Sequence, residues 1–225
     1  MGLQSLVSPP PFWQTPYGTN VTGAQGDDSC GFVNFGFVFT FYGRPYTGAW
    51  IGSNGYILFA PNGGGCPFTQ YYETFLTNSS PGNGGHTMIA GLWTDWYPPG
   101  AGSVKFKLIG LPPLRRLVVT WVGVPEYSAS SPNSTFQIQL LEFLNTIVLS
   151  YNGLAVNGFH DGDAMSAGIA SGGSTGYGAG YGGLPSVKVV ATGAQIPALD
   201  GRTTCLVNLG TGYIQYDQIC SIFVH

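Results

Sequence analysis

Beginning at Phe32 the chain falls into short runs dominated by Phe, Tyr, Trp, Val and Ile, the residues that suit a pleated, half-buried surface. Phe32-Val-Asn-Phe-Gly-Phe-Val-Phe-Thr-Phe-Tyr is the first, followed by Ala49-Trp-Ile-Gly-Ser and Gly55-Tyr-Ile-Leu-Phe. Turn signals at Gly43-Arg-Pro45, Ser53-Asn-Gly55 and Pro61-Asn-Gly-Gly-Gly65 separate them, and Asn54-Gly55 is the strongest because both residues tolerate a positive φ. Further strands are predicted at Thr87–Trp93, Val104–Ile109, Arg116–Val122, Thr135–Phe143, Thr146–Tyr151, Ala164–Ala170 and Val187–Ala191. Within Phe136-Gln-Ile-Gln-Leu140 the apolar residues alternate with Gln137 and Gln139, which gives one apolar and one amide-bearing face. No stretch carries a helical period, so the pattern predicts an all-β fold, an antiparallel β-sandwich, with a closed barrel as the alternative. No repeat of about 20–50 residues is present to suggest a solenoid or propeller.

The sandwich pattern spans residues 27–191 and is flanked by two different segments. Residues 1–26 are an extended arm rich in Pro, Gly and Thr, carrying Phe12, Trp13 and Tyr17; large aromatics without strand periodicity lie across something, either their own domain or a neighbour. Residues 192–225 contain two alternating runs around Gly210-Thr-Gly212 and read as a β-hairpin. Cys205 and Cys220 flank those runs and are expected to pair across the hairpin. Cys30 and Cys66, each beside glycine in loop-like sequence, could form a second bridge; four buried thiols are the alternative. The glycine tract between Gly168 and Gly183 is too dense to be core strand throughout and is expected to be a flexible or tightly packed loop carrying Tyr177 and Tyr181, a candidate contact loop, with a long surface connection that has no partner as the alternative.

Composition sharpens this reading in one respect. Only 8% of the 225 residues are Asp, Glu, Lys or Arg, against roughly 25% in an average soluble domain. The surface is therefore built from Gly, Ser, Thr, Asn, Gln and Tyr, which pack against neighbours without stranding charges. The net charge is −3 and the seven basic residues are scattered, so no basic stripe exists for nucleic acid. Apolar runs such as Leu117 to Val122 fall far short of the roughly 20 residues of a membrane span. The Met-Gly-Leu-Gln-Ser-Leu-Val start lacks a signal peptide's basic and apolar regions, which suggests trimming or export by another route, such as inside a virus particle.

Catalytic and metal chemistry find little support in the pattern. Gly172-Gly-Ser-Thr-Gly176 has the spacing of a nucleophile elbow around Ser174, but no helix follows it. His86, His160 and His225 are far apart and show no ligand spacing; Asp27-Asp28 and Asp161-Gly-Asp163 read as solvated turn acids. No cofactor is expected. Trp93, Trp96 and Tyr97 beside Pro98-Pro99 form the densest aromatic cluster, with Trp96 and Tyr97 as candidates for stacking on a sugar ring.

The order of motifs resembles the nidogen-like (NIDO) domain and related bacterial surface-protein β-domains. It is carried by Phe37-Val-Phe-Thr-Phe-Tyr-Gly43, Trp50-Ile-Gly-Ser-Asn-Gly-Tyr-Ile-Leu-Phe59, Met88-Ile-Ala-Gly-Leu-Trp-Thr-Asp95 and Val118-Val-Thr-Trp-Val-Gly-Val-Pro125. Ser134-Thr-Phe-Gln-Ile-Gln-Leu140, Ile147-Val-Leu-Ser-Tyr151 and Ala167-Gly-Ile-Ala170 continue it, so that it covers about residues 27–190. Gly91 and a single Asp95 stand where relatives carry Pro and paired acids. The resemblance implies an extracellular β-rich module of adhesion and matrix assembly without catalytic residues. The expectation is a non-catalytic structural or adhesive surface module on an extracellular assembly, virion or appendage first, with Phe12, Trp13, Tyr17, Tyr177 and Tyr181 contacting other protein subunits. A monomeric carbohydrate- or matrix-binding adhesion domain is the alternative, and a hydrolase a distant one.

Overall fold

The computed structural model describes residues 10, 12–60, 66, 87–127, 133–154, 166–171, 187–190, 199–209 and 212–217. Among them the regular structure is entirely β. The strands are β1 (Thr19–Asn20), β2 (Cys30–Phe41), β3 (Arg44–Gly52), β4 (Tyr56–Ala60), β5 (Thr87–Trp93), β6 (Ser103–Ile109) and β7 (Arg116–Val124). They continue with β8 (Ser134–Leu141), β9 (Thr146–Tyr151), β10 (Ser166–Ser171), β11 (Val187–Val190), β12 (Thr203–Asn208) and β13 (Tyr213–Asp217). One sheet has the order β1-β6-β7-β8-β9-β12-β13 and the other β11-β10-β5-β4-β3-β2. Every pairing is antiparallel, so the chain is a β-sandwich.

Side-chain alternation places the core. On β2, Val33, Phe35, Phe37, Phe39 and Phe41 are buried while Phe32, Asn34, Gly36 and Val38 are exposed. The facing sheet contributes Leu117, Val119 and Trp121, Phe136, Ile138 and Leu140, and Ile147, Leu149 and Tyr151 to the same cluster. Polar atoms in this layer are paired between sheets: the Trp121 indole N–H donates to the carbonyls of Gly52 (3.1 Å) and Ser53 (2.9 Å), and the Tyr151 hydroxyl to Gly91 (2.7 Å). Gly91 gains its reason here, since a Cβ at this position would lie 2.8 Å from Ile138 Cγ1.

Two turns depart from the sequence reading. Arg44 and Pro45 belong to β3 because the connection is the two-residue pair Tyr42-Gly43, whose φ values of 46° and 77° match the twist of the flanking strands. In the C-terminal hairpin Cys205 lies opposite Tyr216 and Asn208 opposite Tyr213, so the connection falls between Asn208 and Tyr213 and the residue directly across from Cys205 is Tyr216. Both flanking segments enter the sandwich: β1 pairs with β6, and β12 pairs with β9.

Parts of the outer faces are covered as well. Gln137, Gln139, Val148, Ser150 and Cys205 on the seven-stranded sheet are buried, and Tyr56, Leu58, Met88, Ala90 and Trp93 form a cluster on the other. Cys30 and Cys66 form a disulfide with a Cα–Cα distance of 6.0 Å, which ties residue 66 to the start of β2. No helix of the described residues is long and apolar enough to cross a membrane.

Candidate functional site

The amide face of β8 holds the arm. The backbone N–H of Gln14 donates to Gln137 Oε1 (3.1 Å), and Gln137 Nε2 returns a bond to the Gln14 carbonyl (2.7 Å). A side-chain amide thus pairs with a backbone residue as a neighbouring strand would. Gln139 Nε2 donates to the Phe12 carbonyl (2.8 Å) and to Gln137 Oε1 (3.2 Å), while Gln139 Oε1 accepts from Arg116 (3.1 Å). The Phe12 ring packs on Leu141, Val148 and Cys205. Further along, the Val21 N–H donates to the Val104 carbonyl (2.9 Å) and Gln25 Nε2 to the same oxygen (2.7 Å).

Of the aromatics expected to anchor a neighbouring subunit, Phe12 therefore lies on its own sheet. The amide-bearing face of β8 supplies the physical reason: whatever covers it must meet its donors and acceptors, and the backbone N–H and C=O groups of an extended arm do so. Trp13 and Tyr17 are half-buried and meet edge to face with ring centres 6.2 Å apart. Tyr177 and Tyr181 lie outside the described residues, as do Ser174, Asp161, Asp163 and the three histidines. Cys205 is disulfide-bonded; its expected partner Cys220 is also outside the described residues.

A second group gathers at the end of the sandwich where β5 and β7 finish. Trp96 is fully buried, its indole N–H donating to the Leu92 carbonyl (2.7 Å) and its ring 5.7 Å from Phe136. It is a core residue and not a sugar platform, because its ring has no open face. Tyr97 is half-buried and meets Tyr127 edge to face at 5.1 Å; Tyr127 is exposed, and sequence reasoning had not singled it out.

Asp95, two residues before Tyr97 in the chain, meets Asp27 and Asp28, the three bringing carboxylate oxygens within 4.8 Å of one another. Asn54 Nδ2 donates to Asp28 Oδ1 (2.8 Å), fixing the acids to the β3–β4 turn. Burial, with the Asp28 charge beside it, holds the Asp27 carboxyl above the usual carboxylate range. Such a group can take a cation. Asp95 joins the Asp27-Asp28 pair only through the pairing of β4 with β5, which no spacing in the sequence announces.

No curated protein and no solved structure matches the chain. An extracellular location agrees with the disulfides and with the family whose model does match. That model, described as NIDO related, covers residues 7–198, taking in most of the arm and both sheets as far as β11, and the chain belongs to this family.

Proposed function

We propose that the chain is a non-catalytic surface module that builds or decorates an extracellular assembly, and that the arm is its means of joining other subunits. The observation that supports this is the amide clamp: the arm from Phe12 to Gln14 rests on its own sheet through a few side-chain hydrogen bonds and one aromatic ring. An element held in this way can be exchanged, because a neighbour's arm would meet the same Gln137 and Gln139 with the same partners, and exchange of identical elements is a low-cost route to oligomers. The near-neutral surface suits such packing, since few charges need to be desolvated.

Deleting residues 1–20 tests the role. The truncated chain is expected to fold as a monomer and to be absent from the native assembly. Gln139→Leu, which leaves the chain length intact, is expected to weaken incorporation in the same direction. A truncated chain that still enters the assembly at full occupancy would show that the arm has no part in it.

Carbohydrate or matrix binding by a monomer is the second reading, supported by the partly open Tyr97–Tyr127 pair. Glycan-array binding lost in both Tyr97→Ala and Tyr127→Ala would favour it over assembly.

A further inference from the structure

The strand order brings the β6–β7, β8–β9 and β12–β13 turns to one end of the seven-stranded sheet. The β2–β3 turn lies at the same end, because the Thr40 N–H donates to Asn145 Oδ1 (2.6 Å) and the Tyr213 hydroxyl to the Thr40 carbonyl (3.1 Å). Each turn of the seven-stranded sheet lifts a large apolar side chain into solvent: Leu111 is 80% exposed, Leu114 64%, Phe143 65% and Leu209 60%. These tips are held in shape, since the Leu114 N–H closes on the Leu111 carbonyl (2.7 Å) and the Leu209 N–H on the Gly212 carbonyl (2.8 Å). Leu111, Leu114, Phe143 and Leu209 are the four most exposed large apolar side chains among the described residues, and they share one end of one sheet.

Charge is polarised along the same axis. Arg44, Lys107, Arg115 and Arg116 lie at or near the apolar tips, where Glu142 is the single carboxylate among the described residues and is paired with Arg115 at 2.5 Å. Asp27, Asp28, Asp95 and Asp200 lie at the opposite end, together with the basic residue Arg202. A chain of net charge −3 thus presents a locally cationic end crowned with apolar points.

We propose that this end docks on an anionic phospholipid bilayer, with Leu111, Leu114, Phe143 and Leu209 entering the headgroup boundary and the basic residues meeting the lipid charge. The tips are separate and convex. A fluid interface accepts such points one by one, whereas a protein partner would need a matching set of pockets, and the cations behind the tips are complementary to the anionic surface.

The test is co-sedimentation of the full chain with vesicles of phosphatidylcholine alone and of phosphatidylcholine with roughly a third phosphatidylserine. Binding to the anionic vesicles is expected to be at least about tenfold tighter and to weaken as salt is raised. Leu111→Ser/Leu114→Ser/Phe143→Ser is expected to lose about tenfold or more of that binding with an unchanged melting temperature, these side chains being exposed. The single variants Leu111→Ser and Phe143→Ser are read alongside, each with a smaller loss. Equal binding to both vesicles, or anionic binding retained by the triple variant, overturns the proposal. Concentration-dependent association in lipid-free sedimentation velocity that the triple variant abolishes also overturns it, by marking this end as a contact between copies. Deletion of the arm leaves the expected lipid binding in place, so the outcome is independent of the assembly role.

Discussion

Trp121 shows how much one residue can hold when its apolar and polar parts are both used. Its ring stacks on Phe136 at 4.9 Å and 7°, and its N–H reaches the opposite sheet at Gly52 and Ser53. Trp121→Ala is expected to lower stability by about 3–5 kcal/mol, the range for removing a large buried aromatic, read as a fall in the denaturant midpoint. An unchanged midpoint would place Trp121 outside the cooperative core. The outer face offers the reverse case. The Thr120 hydroxyl is buried with no hydrogen-bond partner among the described residues. Thr120→Val keeps the shape and removes the stranded group, so it is expected to stabilise by about 1 kcal/mol in the same assay. A loss of similar size would show that the hydroxyl has a partner, such as a bound water.

At the scale of elements, the arm and the bridges decide how the edges of the sandwich are held. The Cys30–Cys66 disulfide spans 36 residues, and closing a loop of that length restricts the unfolded chain. Its replacement by Cys30→Ala/Cys66→Ala is expected to cost about 3–4 kcal/mol, seen as a lower melting temperature. Peptide mapping without reduction is expected to recover Cys30 with Cys66 and to join Cys205 to Cys220. Thiols at Cys205 and Cys220 would remove the second bridge. The β12–β13 register, with Cys205 facing Tyr216, means that such a bridge would not be a directly cross-strand one, which the placement of the two cysteines on either side of the Gly210-Thr-Gly212 runs had implied. Register depends on where a turn closes, and Gly210-Thr-Gly212 offers more than one place to close it.

Across the whole molecule the low charge content leaves each ion pair more visible. Arg115 holds the Glu142 carboxyl below the ordinary glutamate range through a hydrogen-bonded pair, and Arg115 also reaches the Gly36 carbonyl. A depressed carboxyl stabilises the fold above its unfolded pKa and loses that contribution as the pH falls through its folded one. Glu142→Gln is therefore expected to melt below the parent chain near neutral pH, with the gap closing in strong acid. A gap independent of pH would mean that the pair contributes through packing alone.

Strand positions were legible in the sequence because alternation and turn chemistry are local: Thr87–Trp93 and Thr146–Tyr151 appear where the pattern placed them, and Asn54-Gly55 makes the β3–β4 turn. The amide face of β8 was also visible as Gln137 and Gln139. What covers that face was not, since an arm of Pro, Gly and Thr carries the same composition whether it lies on its own sheet or on a neighbour's. Trp96 had the turn-side setting of an exposed ring, and only the packing of β5 against β8 buries it. The meeting of Asp95 with Asp27 and Asp28, and the gathering of Leu111, Phe143 and Leu209 at one end, likewise follow from which strands pair. One-dimensional periodicity states which way a side chain points relative to its neighbours in the chain; the antiparallel pairing of distant strands decides what it points at.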